Sequence, residues 1–152
     1  SVRSGAYEAA LRRLDPEVTV FSRACPLFVP LAEAGRIRRG DVVIETVARE
    51  YLEPLKATGV DTLILGCTHY PLLTDIIRDI MGPEVTLVSA GEESAFELKR
   101  LLKADRLRAE ETREGGVDFY VSDRPEDFEH IASVFLGENL CHSAERINIE
   151  QY

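Results

Sequence analysis

Cys67 and His69 are the residues whose types and spacing best suit proton-transfer or nucleophilic chemistry in this chain. They stand in Leu63-Ile-Leu-Gly-Cys-Thr-His-Tyr-Pro-Leu-Leu73. Thr62 to Leu65 is an apolar and β-branched run that reads as a strand covered on both faces. Gly66 to His69 then reads as a tight turn, and Pro71 as the opening of a helix, where its missing donor costs nothing. Ligands of parallel α/β sheets bind at the C-terminal ends of the strands, so Cys67 lies where a catalytic group would sit. A thiol near a helix N-terminus feels the partial positive charge of unpaired backbone donors, which favours the thiolate. His69 can act as a second general acid or base, or set the thiol's protonation state. Gly66 lets a ligand approach the backbone, and the amides around Thr68 can hold a carboxylate. Each feature also has a plainer reading. A lone Cys after a buried strand is more often a small core residue, and His69 or the Thr68 hydroxyl can simply cap the following helix.

The elements that must hold this turn follow from periodicity. Ser4 to Leu14 reads as a helix, stopped by Asp15-Pro16, and Val18 to Ser22 as a short strand. Cys25 to Leu31 is apolar but contains two prolines, so a loop with buried side chains is expected. Asp41 is the expected N-cap of a long amphipathic helix that ends at Thr58-Gly59. Pro71 to Met81 reads as a helix, Val85 to Val88 as a strand and Glu92 to Leu102 as a helix. Further strands are expected at Val117 to Val121 and Ile147 to Ile149, with a helix from Glu126 to Leu136 between them. This alternation implies an α/β fold, a parallel sheet flanked by helices. The charged stretch 103–116, closed by Gly115-Gly116, is the expected internal boundary.

Composition excludes several classes. The 152 residues carry a net charge of -9, which opposes attraction to nucleic acid or anionic lipid. No apolar run approaches the roughly 20 residues that span a bilayer, so no membrane partner is expected and the cytoplasm is the expected compartment. Three Cys at 25, 67 and 141 form no disulfide framework. Nucleotide-binding glycine loops are absent. Cys141-His142 offers a metal reading with Cys67 and His69, but lacks a short Cys-x-x-Cys pair, so no metal is expected.

The string Gly66-Cys-Thr-His-Tyr-Pro-Leu-Leu73 after Asp61-Thr-Leu-Ile-Leu65 resembles the second catalytic-cysteine motif of bacterial glutamate racemases, in the aspartate/glutamate racemase family. Val2-Arg-Ser-Gly-Ala-Tyr7, Ala24-Cys-Pro-Leu-Phe-Val-Pro-Leu-Ala-Glu33 and Phe119-Tyr-Val-Ser-Asp123 resemble further segments of that family. So do Pro125-Glu-Asp-Phe128 and Phe135-Leu-Gly137, and the likeness extends over essentially the whole chain. It departs at Val88-Ser-Ala-Gly91, where the family commonly has Asp-Ser-Gly.

The resemblance implies cofactor-independent inversion of glutamate by two cysteines facing opposite sides of the α-carbon. Cys67 matches the one that takes the proton from L-glutamate. His69 and Glu33 match acid/base residues that assist it, and Thr68 a substrate-holding position beside Gly66. Glu33-Ala-Gly35 also has the plainer reading of an exposed turn. Cys25 matches the family's Ala-Cys-Pro rather than its first catalytic cysteine, whose motif is absent here. The chain therefore looks like a second α/β domain, residues 1–102, followed by a C-terminal segment, 103–152, that returns to complete the first domain. The N-terminal half of the enzyme, with the other cysteine, is then a missing partner, and a homodimer is a further expectation. The implied role is supply of D-glutamate for peptidoglycan, with this chain inactive alone. Two other classes remain open at this point: a non-catalytic α/β binding module, and a Cys/His hydrolase that forms a thioester on Cys67.

Overall fold

A computed structural model describes residues 2–109, 115–136 and 144–151. The chain divides into two compact units, Ser1–Glu93 and Ser94–Tyr152.

In the first unit a 3-10 turn at Val2–Ser4 leads into helix α1, Ala6–Leu14. Helix α2 spans Phe28–Glu33 and α3 spans Val42–Lys56. Strand β1, Thr62–Leu65, is followed by a 3-10 turn at Tyr70–Leu73, helix α4 at Thr74–Met81 and strand β2 at Thr86–Ser89. β1 and β2 pair in parallel, Thr62 opposite Thr86 through Leu65 opposite Ser89. Helix α5, Ala90–Ala104, follows β2 directly.

The sequence explains why these helices start and stop. The Asp41 side chain accepts the Val43 amide at 3.0 Å, and Arg36 holds the same carboxylate at 3.0 Å. Glu45 Oε1 accepts the Gly40 amide at 2.7 Å, so the entry to α3 is fixed from both sides. Helix α4 buries Ile76, Ile77, Ile80 and Met81 and turns Asp75, Arg78 and Asp79 outward. It ends at Gly82, whose φ of 96° suits glycine, and Lys56 Nζ donates to the Ile80 carbonyl at 2.7 Å. Arg39 closes on Asp79 at 2.7 Å, tying the loop before α3 to α4.

The core of this unit lies where α2, α3, α4 and β1 meet, around Phe28, Ile44, Leu52, Leu65, Leu73 and Ile77. Phe28 packs edge-on against Tyr51 and Tyr70, with ring centroids 5.4 and 5.3 Å apart. The second unit contains β3 (Tyr120–Val121), helix α6 (Pro125–Leu136) and β4 (Glu145–Arg146), with β3 and β4 parallel. Phe119 packs on Phe128 at 5.4 Å, and Glu129 accepts the Ala144 amide at 3.3 Å.

Four local expectations change. The segment expected to be a loop, Cys25 to Leu31, contains α2. Pro30 is tolerated because it sits in the first turn, where backbone donors have no intrahelical acceptor. Val18 to Ser22 is not assigned as a strand, because among the described residues it has no sheet partner. The strand expected over Val117 to Val121 is reduced to its last two residues. The strand expected at Ile147 to Ile149 is replaced by β4 just before it and a 3-10 turn at Ile149–Gln151. There Asn148 accepts the Glu150 amide through its side chain at 3.0 Å and the Gln151 amide through its carbonyl at 3.2 Å, which turns the backbone away from a ladder. Cys141 and His142 lie outside the described residues.

Leu73 is fully buried where the 3-10 turn meets α4. Leu73→Ala is therefore expected to cost about 3 kcal/mol of unfolding free energy, read by chemical denaturation. A loss of a few tenths would mean that this contact is not part of the core.

Candidate active site

β1 delivers the chain to the candidate site. Leu65, 3% exposed, is held in the core, so the residues after it emerge at the strand's C-terminal end. Gly66 turns its amide back to the Ile64 carbonyl at 3.1 Å. The Tyr70 amide donates to the Cys67 carbonyl at 3.3 Å, and the Leu72 amide to the His69 carbonyl at 3.1 Å. Cys67 to Leu73 thus forms one tight, hydrogen-bonded corner with the half-buried Cys67 thiol at its start.

Within that corner the structure brings three of the expected residues together. Thr68 Oγ1 lies 3.2 Å from His69 Nδ1. His69 Nε2, shut off from solvent, lies 3.2 Å from Glu33 Oε1 at the end of α2. Glu33 is 43% exposed at its side chain and His69 19%, so the carboxylate stays hydrated while the imidazole is largely covered. The Glu33 carboxylate, which can only accept, faces Nε2. The Thr68 hydroxyl, which can donate or accept, meets Nδ1, and which of the two donates depends on the ring's tautomer. The arrangement can pass a proton or hold the imidazolium.

This geometry bears on the helix-capping readings of His69 and Thr68. His69 occupies the cap position of the 3-10 turn, but its side chain makes no capping bond there. Thr68 contacts the imidazole. The regular helix begins only at Thr74, so Cys67 precedes a 3-10 turn rather than the first turn of α4.

Cys25 has a different environment. It is buried, its thiol donates to the Arg23 carbonyl at 3.8 Å, and burial pushes it up to about 11, against the pull of the Arg23 guanidinium. Such a thiol is neutral at physiological pH. Tyr70 stands between the two cysteines electrostatically: burial first, then the nearby Cys25 and Cys67 thiols, raise its phenol to about 12. Its hydroxyl donates to the Cys25 carbonyl at 3.4 Å.

Sequence reasoning missed Tyr7. A Cβ on Gly66 would sit 3.3 Å from the Tyr7 ring and 3.4 Å from its hydroxyl. The space that this glycine was expected to leave for a ligand is thus bordered by an aromatic ring from α1. The resemblance over Val2 to Tyr7 was the only signal available for it. Among the described residues no three His, Cys, Asp or Glu side chains gather as a metal site. No helix of the described residues is long and apolar enough to cross a membrane.

Comparison with known proteins bears on the chain as a whole. No protein-family model matches the chain. The glutamate racemase of Geobacter metallireducens is 45% identical over 140 residues, 92% of this chain and 51% of that protein. The crystal structure of glutamate racemase from Francisella tularensis in complex with D-glutamate superposes with a TM-score of 0.86 at 30% identity. It covers 99% of this chain and 55% of the other. The Thermus thermophilus glutamate racemase, solved with β-chloro-D-alanine, gives 0.83 at 36% identity, covering 99% and 54%.

The chain is homologous to the C-terminal part of glutamate racemases. It spans about half the length of the relatives it matches. The likeness to solved glutamate racemases also accords with the α/β class expected from the alternation of strands and helices.

The contrast between the two cysteines predicts an order of reaction. At pH 8 about one Cys25 thiol in a thousand is ionised, and its surroundings exclude reagent. Iodoacetamide followed by peptide mapping should modify Cys67 first, with Cys25 labelling rising about tenfold per pH unit up to about 11. Equal labelling of both at pH 8 would contradict the burial described for Cys25.

Proposed function

We propose that the full-length protein is a glutamate racemase that interconverts L- and D-glutamate without a cofactor, and that Cys67 is one of its two catalytic thiols. What supports this most directly is the corner Cys67-Thr68-His69 at the end of β1, with Glu33 on His69, in a chain 45% identical to a glutamate racemase.

The chemistry demands two opposed bases. The α-proton beside a carboxylate is very weakly acidic, so the site must exclude water and align the base with the C–H bond. The Cys67 thiolate takes the α-proton of L-glutamate and becomes a thiol. A second thiol gives its proton to the opposite face of the carbanion and becomes the thiolate. No net proton is gained or lost, and solvent exchange restores the starting state. His69, held by Glu33, assists Cys67 in that proton traffic. Thr68 and the backbone at Gly66 hold substrate. In the reverse direction the two thiols exchange roles.

The second thiol belongs to the N-terminal half found in the longer relatives, so residues 1–152 alone are inactive in this reading. Residues 1–102 form the second α/β domain, and 103–152 return to complete the first. The product D-glutamate serves peptidoglycan synthesis, hence cell-wall biogenesis and cell shape, in the cytoplasm. A homodimer belongs to the same proposal.

The test uses the full-length protein and follows inversion by circular dichroism at the wild-type optimum. Cys67→Ala should lower kcat by at least ~10³. His69→Gln should lower it by on the order of 10², and Glu33→Gln by less than His69→Gln, because its carboxylate acts through the imidazole. Inversion by Cys67→Ala at the wild-type rate would overturn the proposal. Calorimetric binding of glutamate by the wild type without any inversion would overturn it in favour of a binding module.

A further inference from the structure

Two consecutive residues of the Cys67 corner grip the two ends of α2. At its start, the Cys25 carbonyl accepts the Phe28 amide at 3.2 Å and the Tyr70 hydroxyl at 3.4 Å. The Tyr70 ring meets Phe28 edge-on at the same end, with centroids 5.3 Å apart. At the other end, Glu33 Oε1 lies 3.2 Å from His69 Nε2. Between these grips α2 is six residues long, roughly 9 Å.

The length of that spacer is fixed. Phe28 and Ala32, each 1% exposed, seat one face of α2 in the core. Glu33 is the last helical residue, and the chain then closes in a Schellman turn. The Arg36 amide donates to the Leu31 carbonyl and the Gly35 amide to the Ala32 carbonyl, both at 2.9 Å, with Gly35 at a φ of 74°.

The Glu33 carboxylate does not hold its own place. Its side chain is 43% exposed, and a contact made by a hydrated carboxylate gains little against water. Its position at His69 has to be imposed by the helix that carries it. Apolar packing of Phe28 and Ala32 is non-directional, whereas a hydrogen bond has a direction. The Tyr70 hydroxyl supplies that direction from the corner itself, at the end of α2 remote from Glu33.

We infer that Tyr70 is a positioning residue: by fixing the start of α2 on the Cys67 corner, its hydroxyl sets where Glu33 meets His69. The consequence for catalysis rests on the racemase proposal; the placement of Glu33 does not. Burial first, then the Cys25 and Cys67 thiols, raise the phenol to about 12, so it stays a donor through the physiological range. Ring packing on Phe28 alone would need no hydroxyl here. The Tyr70 backbone amide holds the Cys67 carbonyl at 3.3 Å whatever the side chain, so removing the hydroxyl leaves the turn that carries Cys67 in place.

The test compares Tyr70→Phe, Glu33→Gln and the double variant in the full-length protein. The Cys25 carbonyl keeps the Phe28 amide, so Tyr70→Phe should fold and lose no more than about 4 °C in Tm. Its kcat for glutamate inversion should fall about fivefold, and no further than that of Glu33→Gln, with KM changed by less than about twofold. In the Glu33→Gln background the same substitution should change kcat by less than about twofold, because the contact it positions is already gone. The ring-proton NMR resonances of His69, identified by their loss in His69→Gln, should move in Tyr70→Phe toward their positions in Glu33→Gln at one fixed pH. An equal fall of kcat in both backgrounds, or His69 resonances that do not move, would overturn the inference and leave Tyr70 a packing residue. If the wild type does not invert glutamate, the racemase proposal falls and the His69 resonances alone decide: movement supports the placement of Glu33 by Tyr70, and no movement overturns it.

Discussion

Burial of Leu65 at the C-terminal end of β1 is the constraint on which the candidate site depends. Leu65 is locked into the core formed by α2, α3 and α4, and the parallel register with β2 fixes which residues of the strand face which neighbour. Because the strand cannot slide, the corner that begins at Gly66 and ends at Leu73 has a fixed origin. Leu73 anchors its other end, fully buried against the same core. The thiol of Cys67 and the imidazole of His69 are thereby carried on a short, doubly anchored segment. A site that must address one face of a small substrate needs that rigidity, since a shift of 1 Å misaligns a base with its C–H bond.

A second link runs between α2 and this corner. His69 Nε2 is closed off from water, and Glu33 supplies the neighbouring carboxylate. Thr68 meets the other ring nitrogen, so both polar ends of the imidazole have a polar neighbour. The Ala-Cys-Pro cysteine stands in contrast. Cys25 is neutral and buried, and its backbone carbonyl receives the Tyr70 hydroxyl, so its part is to hold the corner from below. The two thiols of this unit differ in exposure, Cys25 being buried and Cys67 half-buried.

Much of this was legible from the amino acids. The uninterrupted Thr62–Leu65 run, the Gly66 and Pro71 punctuation and the Asp41 cap mark elements that the structure contains, because each rests on local backbone chemistry. The α2 helix was not legible, because two prolines read as breakers unless the first-turn position of Pro30 is known. Val18 to Ser22 carries a strand pattern, yet strand formation requires a partner, and pairing is a property of chain segments far apart in sequence. The approach of Glu33 to His69 was accessible only through family resemblance, since no spacing rule joins residues 36 positions apart. The approach of Tyr7 to Gly66 likewise follows no spacing rule, and only the resemblance over Val2 to Tyr7 pointed to that segment. Asn148 illustrates a local signal overlooked: its turn-forming side chain outweighs two flanking isoleucines.

The most direct test of the central claim, that Cys67 is the base that addresses L-glutamate, is deuterium incorporation at the α-carbon in heavy water, measured by NMR on the full-length protein. L- and D-glutamate are supplied separately, before inversion has mixed them. The account predicts that the wild type labels both enantiomers and that Cys67→Ala leaves L-glutamate unlabelled. Labelling of L-glutamate by Cys67→Ala at the wild-type rate would contradict it.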